Sequence, residues 1–553
     1  MRFMGRKKAN ITLSGGESNK KSNRVWGRQV CPSDESGLGQ ITAAHFMRRK
    51  KGKKNSVQRK RPFFRAAAAL QVFVLAGVLL FAAVALSGCG AKNKGSVNRY
   101  EIDAVFSESD MTVEFIMTAD FLNRSGGTIS EVCFNFYPNA YRESATYSPV
   151  SAQKRAKAYP NGASYGKGEI TEARVGKTPA PFALAGEDQT FLRVEVGSLK
   201  NGERAKITLR GKTTLSNCLH RTGYGDKTVN LGEAFPVLAV CRSGAFYECL
   251  YENIGDPFVQ EVADYTVRFT APEEYTVAHT GRETASFAAG GNVTHTYAEK
   301  NARSFAMVLS KEFTAKAGRT AAGAEVTCYA FTEERAAAIL QTSVQSIDLY
   351  AQKFGAYPYS TYAAAETEFT EGGMEYTGLS FLSADAEEKE IAHISAHEAA
   401  HQWWYGVVGV DQIEEGYLDE SLAEYSAVLF FEAYPAYQKT RQELYNAAET
   451  SYRLYADVYE QLHKNKNTAM RRHLHAFLGA YEYYELVYVK GVLLWENYRV
   501  SVGDKKFFAA LRYFYDKNKF GIASTEDLYA ALVRSGAGGE GLVASFLDGS
   551  AVI

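Results

Sequence analysis

The chain has 553 residues, 46% of them hydrophobic and 13% aromatic, too many for one core, since single cores stop growing at roughly 250–300 residues. The formal net charge of +1 conceals an asymmetry: residues 1–65 carry 18 Lys/Arg against three acids, whereas from Cys89 onward 45 basic residues face 59 acidic ones. An acidic body excludes nucleic acid as the partner, because phosphate binding needs a basic face.

The first predicted element is the run from Ala66 to Leu86, uncharged and with Gln71 as its one polar residue, placed directly after a basic stretch. A positive region followed by an apolar one is an export signal. It ends Leu86-Ser87-Gly88-Cys89, which resembles the lipobox of bacterial lipoproteins. The resemblance implies that Cys89 is lipidated and becomes the mature N-terminus, with the body on the extracytoplasmic face of a bacterial membrane. At about 20 residues the run is also long enough to span a bilayer as a single-pass anchor. Residues 1–88 are therefore a leader with a signal or transmembrane segment. Met47 opens a second basic stretch, MRRKKGKK, so residues 1–46 read either as a mis-called start or as a cytosolic tail.

Of seven cysteines, Cys133, Cys218, Cys241, Cys249 and Cys328 lie in the body, irregularly spaced and without a CxxC pair. No cysteine metal site is expected. Cys241 and Cys249 read as a disulfide pair or as buried thiols.

From Tyr100 the apolar residues alternate: Tyr100, Ile102, Ala104 and Phe106, then Met111, Val113, Phe115, Met117, Ala119 and Phe121. Period two predicts half-buried strands. The second run stops at Ser125-Gly126-Gly127 and EVCFNFYP follows, which predicts a hairpin. Further strands are expected at 192–196, 205–211, 264–272 and 304–310. Residues 89–325 form a β-rich domain in this reading. The pattern turns helical at Thr332, in a segment that ends at Gly355, a C-cap residue. Residues 326–553 are a mainly helical domain, so the fold class is α+β and multidomain.

KEIAHISAHEAAHQWW has helical composition and contains His397-Glu398-Ala399-Ala400-His401. Two histidines four apart share a helix face and reach one metal, with Glu398 beside them as general base. A catalytic zinc takes three protein ligands and keeps one position open. The following helix, GYLDESLAEYSAVLFFEAY, offers Glu420, 19 residues beyond His401. His393 is a rival, but three ligands at i, i+4 and i+8 of a straight helix span about 12 Å, too far for one ion. Trp403 and Trp404 read as core rather than substrate wall. Glu424 reads equally as a support for the ligands or as part of a solvated helix face.

HEAAHQWW followed by DESLAEY resembles the aminopeptidase N-like gluzincin family of zinc peptidases. Gly372-Gly373-Met374-Glu375 is similar to its Gly-x-Met-Glu-Asn motif, and Tyr488-Val489-Lys490-Gly491 to its Tyr-x-Lys-Gly motif. The resemblance covers about residues 97–553 and implies a β domain followed by a thermolysin-like catalytic domain. It further implies one zinc per chain on His397, His401 and Glu420, a transition-state contact from Tyr488, and peptide substrates held by their free N-termini at Glu375. The expected activity is that of a zinc aminopeptidase, with an endopeptidase on the same metal, or an inactive peptide-binding protein, as alternatives. Two departures stand out: Tyr376 replaces the motif's Asn, and only 65 residues follow Tyr488, so the large C-terminal helical domain of many members is expected to be missing. Oligomeric state is not legible.

Overall fold

The computed structural model describes residues 97–462 and 467–551, so the leader, its apolar run and Cys89 lie outside the described residues. Among the described residues no helix is long and apolar enough to cross a membrane.

Strands β1 (Asn98–Ser107) and β2 (Thr112–Leu122) form an antiparallel hairpin, Phe106 opposite Val113. Their alternation places Ile102, Ala104, Phe115, Met117 and Ala119 in one buried face. The hairpin expected between β2 and the next strand does not form. Strand β3 (Ile129–Asn135) pairs instead with β4 (Phe191–Leu199) in a separate four-stranded sheet. The reason is that both edges of β2 are taken, one by β1 and the other, over its whole length, by β5 (Arg204–Thr214). After the Ser125–Gly127 turn the chain therefore crosses to a second layer, where Val132, Phe134, Leu192 and Val194 face the same core as β1 and β2. Strand β6 (Ala263–Pro272) joins the free edge of β1 in parallel and helps complete an eight-stranded sheet.

A five-stranded sheet opens the second half. It contains β7 (Thr314–Arg319), β8 (Glu325–Ala330), β9 (Thr361–Thr367), β10 (Gly373–Met374) and β11 (Leu379–Ser383), in the order β7-β8-β9-β11-β10. Strands β8, β9 and β11 run parallel, with β7 and β10 antiparallel at the edges. Because β7 hydrogen-bonds to β8, this sheet begins ahead of the boundary expected after residue 325. The crossover from β8 to β9 is helix α1 (Glu333–Phe354), whose N-cap Thr332 accepts a bond from the Arg335 amide. It stops at Gly355, where φ is +138°.

Helix α2 (Glu388–Ala400) packs between α1 and α3 (Tyr417–Ala433), and α3 in turn against α4 (Lys490–Val502). Trp403 and Trp404 are fully buried core residues, as expected, their indoles donating to the Gly355 carbonyl and to Ser426 Oγ. The five described cysteines are free thiols.

Candidate metal centre

Helix α2 carries His397 and His401 on one face, and α3 brings Glu420 against them. The two Nε2 atoms lie 3.0 Å apart, and Glu420 Oε2 is 3.3 Å from each. The other ring nitrogens are engaged: His397 Nδ1 is 2.9 Å from Glu424 Oε2, and His401 Nδ1 is 3.2 Å from the Trp404 carbonyl. That carbonyl is available because the helix breaks after His401, where the turn widens and Trp404 and Tyr405 leave helical geometry. With each Nδ1–H donating outward, both Nε2 atoms turn their lone pairs inward toward a carboxylate. Acceptors facing one another without a proton to share are reconciled by a cation. A tetrahedral zinc with N bonds of about 2.0–2.1 Å separates its nitrogens by roughly 3.3 Å, so the residues present fit the ion.

The electrostatics agree. Burial opposes charge on His397, yet the bonds to Glu420 and Glu424 win and hold it up at about 10. Burial likewise opposes ionisation of Glu420, and the two histidines overcome it to keep the carboxyl well below the usual range. The site attracts positive charge, proton or metal. Glu424, left open by sequence, turns inward and links His397 to His393, whose Nε2 lies 3.0 Å from Glu424 Oε1. His393 is therefore outside the ligand group.

Glu398 is buried, and its Oε2 finds no hydrogen-bond partner among the described residues. Burial pushes its carboxyl up to about 8, against the pull of His397 and His401. Strand β10 lies across it: a Cβ on Gly373 would overlap the Glu398 carboxylate. Glu375 follows, buried, accepting a 2.8 Å bond from Gln412 Nε2. Met374 packs its sulfur 3.1 Å from Arg221 Nε, and Gly372 lines the cavity. Tyr376 points the other way, its hydroxyl against Gly232 in the core. The departure from the motif therefore does not reach the cavity.

Tyr488 lies on a widened helical turn, residues 484–489, its ring stacked on His397 at 5.7 Å. The rest of its motif is structural. Lys490 Nζ donates to the Thr468 and Phe546 carbonyls at 2.7 and 3.0 Å. Gly491 lets α4 approach α3 beside Glu420, since a Cβ there would strike Ser421. His397, Glu398, His401, Glu420, Glu375 and Tyr488 all line one cavity of about 530 Å³.

Residues 338–548 match the peptidase family M1 domain. Over these residues the chain is similar to the aminopeptidase N-like gluzincin family. Among curated relatives, Aminopeptidase N of Lactobacillus delbrueckii subsp. lactis is 28% identical over 223 residues, 37% of this chain and 25% of that protein. Endoplasmic reticulum aminopeptidase 2 of Homo sapiens is 25% identical over 241 residues, 40% of this chain and 24% of that protein. The match thus spans about a quarter of the length of these relatives. The M1 zinc metallopeptidase of Deinococcus radiodurans shares the fold at TM-score 0.59 and 16% identity, covering 83% of this chain and 95% of that one. A mutant of it bound to Tyr-ser-ala substrate gives 0.57 and 14%, with the same coverage.

The M1 domain does not form the cavity alone. Arg221, Asp256 and Tyr483 also line it, and sequence reasoning missed all three. Arg221 and Asp256 come from irregular segments of the β-rich half with no periodicity or motif around them. Tyr483 is one of 35 tyrosines, with no motif of its own to set it apart.

Proposed function

We propose that this chain is a zinc peptidase that releases N-terminal residues, with His397, His401 and Glu420 as metal ligands and Glu398 as general base. The observation that carries the reading is the convergence of two histidine Nε2 atoms and one carboxylate oxygen within 3.0–3.3 Å, beside a buried carboxylate with an unpartnered oxygen. Zinc held there supplies Lewis acidity and brings the pKa of water to about 7. Glu398 takes a proton from the attacking water at Oε2 and later passes it to the leaving amine. The Tyr488 hydroxyl donates to the oxygen that becomes negative as the carbonyl is attacked. Gly373 keeps the strand close enough to hold Glu398 away from bulk water.

Exopeptidase action rests on Glu375, a buried carboxylate in the same cavity that pairs with a peptide's α-ammonium. The Deinococcus relative, described with a tripeptide substrate, and the aminopeptidases matched in sequence support the same substrate class. The test is kcat/KM on one peptide with free and with acetylated N-terminus, for the native enzyme and for Glu375→Ala. A ten- to hundredfold preference of the native enzyme for the free amine, lost in the variant, is expected from a charge-assisted bond of about 1.5–3 kcal/mol. Equal rates, unchanged by the substitution, would make the enzyme an endopeptidase on the same metal.

The basic stretch, the apolar run and Leu86-Ser87-Gly88-Cys89 support an anchor through lipidated Cys89, with the enzyme facing outward. Intact mass of the native protein tests it: a mass that includes residues 66–88 and no acyl chains would replace the lipid by a membrane-spanning segment.

A further inference from the structure

His220, on the irregular segment that follows β5, lines the same cavity, is only 2% exposed, and takes no part in the chemistry above. Its Nδ1 lies 2.8 Å from the Tyr141 hydroxyl, which already accepts from the Thr222 amide at 3.3 Å. A phenol has one proton to give, and among the described residues Nδ1 is the acceptor it meets. Tyr141 therefore donates to Nδ1, which leaves the ring proton on Nε2. Burial, with Arg221 and Lys154 nearby, holds the ring well below the usual histidine range, so it stays neutral. Among the described residues Nε2 has no hydrogen-bond partner. The Tyr141, Tyr251 and Phe369 rings surround the imidazole at 6.0, 6.4 and 5.9 Å, and the cavity is its open side. A buried donor without a partner is costly, and here the partner can come only from an occupant of the cavity.

His220 stands at a definite end of that cavity. The next residue, Arg221, packs its Nε 3.1 Å from Met374 Sδ, directly before Glu375, and Phe369 lies on the approach to β10. Glu375 itself is beside His401, at the end of α2. Glu390 lines the cavity from the start of α2, about 16 Å from His401 along the helix axis. The wall that holds His220 is therefore the one beside Glu375, where the N-terminal residue of a peptide is held.

We infer that His220 is a specificity residue: its Nε2–H donates to an acceptor on the side chain of the substrate's N-terminal residue, raising rates on Asn and Gln relative to Leu and Met. These pairs match closely in size and differ in the carboxamide. An apolar side chain leaves the buried donor unpaired, so the wrong substrate is penalised as much as the right one is favoured. Tyr141 acts through His220, as the positioning residue that selects the tautomer. The inference rests on the aminopeptidase reading above.

The test uses the zinc-loaded full chain and four peptides that differ only in the N-terminal residue, Gln, Met, Asn or Leu, each with free and with acetylated N-terminus. The readout is the ratio of kcat/KM within each pair, Gln to Met and Asn to Leu, in which general effects of a substitution cancel. His220→Phe keeps a ring and removes the donor, and is expected to lower at least one ratio roughly two- to tenfold. His220→Gln, which offers an acceptor to Tyr141 and an N–H to the cavity, is expected to recover part of that loss. Should His220→Phe fail to fold, Tyr141→Phe decides in its place, since freeing the tautomer is expected to lower the same ratio with His220 still present. If acetylated peptides are cleaved as fast as free ones and the ratio still depends on His220, the side-chain contact stands and the exopeptidase reading falls. Ratios unchanged by the substitution, or equal losses on both members of each pair, would overturn the inference.

Discussion

Gly373 lies directly over Glu398, so closely that a single added carbon would occupy the space of the carboxylate. The contact ties the edge of the five-stranded sheet to the middle of α2 and explains a glycine where nothing in the local backbone requires one. Gly373→Ala is expected to displace Glu398 while leaving His397, His401 and Glu420 in place. The variant should bind zinc as the native protein does and lose at least about tenfold in kcat, since small misplacements of a catalytic group are costly. Native kcat in Gly373→Ala would show that the strand yields instead.

Glu424 fixes the ring of His397 from behind. Removing a partner of this kind typically costs 10–100-fold in metal affinity. Glu424→Ala should therefore weaken zinc by about that factor, read by competition with a chelator, without abolishing binding. An unchanged zinc affinity would return Glu424 to the solvated face that sequence alone allowed.

Tyr488→Phe should lower kcat by about 10²–10³, the usual cost of removing an oxyanion donor, with little change in KM, because the ring still stacks on His397. A loss confined to KM would assign the hydroxyl to ground-state binding.

Tyr376 turns away from Glu375 because neighbouring residues of an extended strand point to opposite sides. Its hydroxyl is buried without a hydrogen-bond partner among the described residues. Tyr376→Phe should leave KM for a free-amine peptide within about twofold and the melting temperature equal or higher, since burying an unpaired hydroxyl costs stability. A large rise in KM would put Tyr376 back beside the substrate.

The parts of this architecture that repeat locally were legible in sequence. The alternation of Ile102, Ala104 and Phe106, the helix stop at Gly355 and the paired His397 and His401 each depend on residues a turn or a strand apart. The destination of β3 was not legible, because it depends on β5 having already taken the edge of β2. Nor was the cavity's wall of Asp256 and Arg221, which reaches the M1 domain only through the fold and carries no pattern of its own. The motifs named Tyr488, Lys490 and Gly491 together, whereas the structure separates them: Tyr488 faces the metal ligands, Lys490 ties the segments of Thr468 and Phe546 to α4, and Gly491 lets α4 approach α3.

The central claim is that Glu420 completes a ligand set with His397 and His401 while Glu398 stands outside it. Zinc per chain, measured by elemental analysis on the native protein, Glu398→Gln and Glu420→Ala, tests it most directly. About one zinc is predicted for the native protein and for Glu398→Gln, which should have lost its peptidase activity, and almost none for Glu420→Ala. A folded Glu420→Ala protein that keeps its full zinc would contradict the assignment and return His393 to consideration as a ligand.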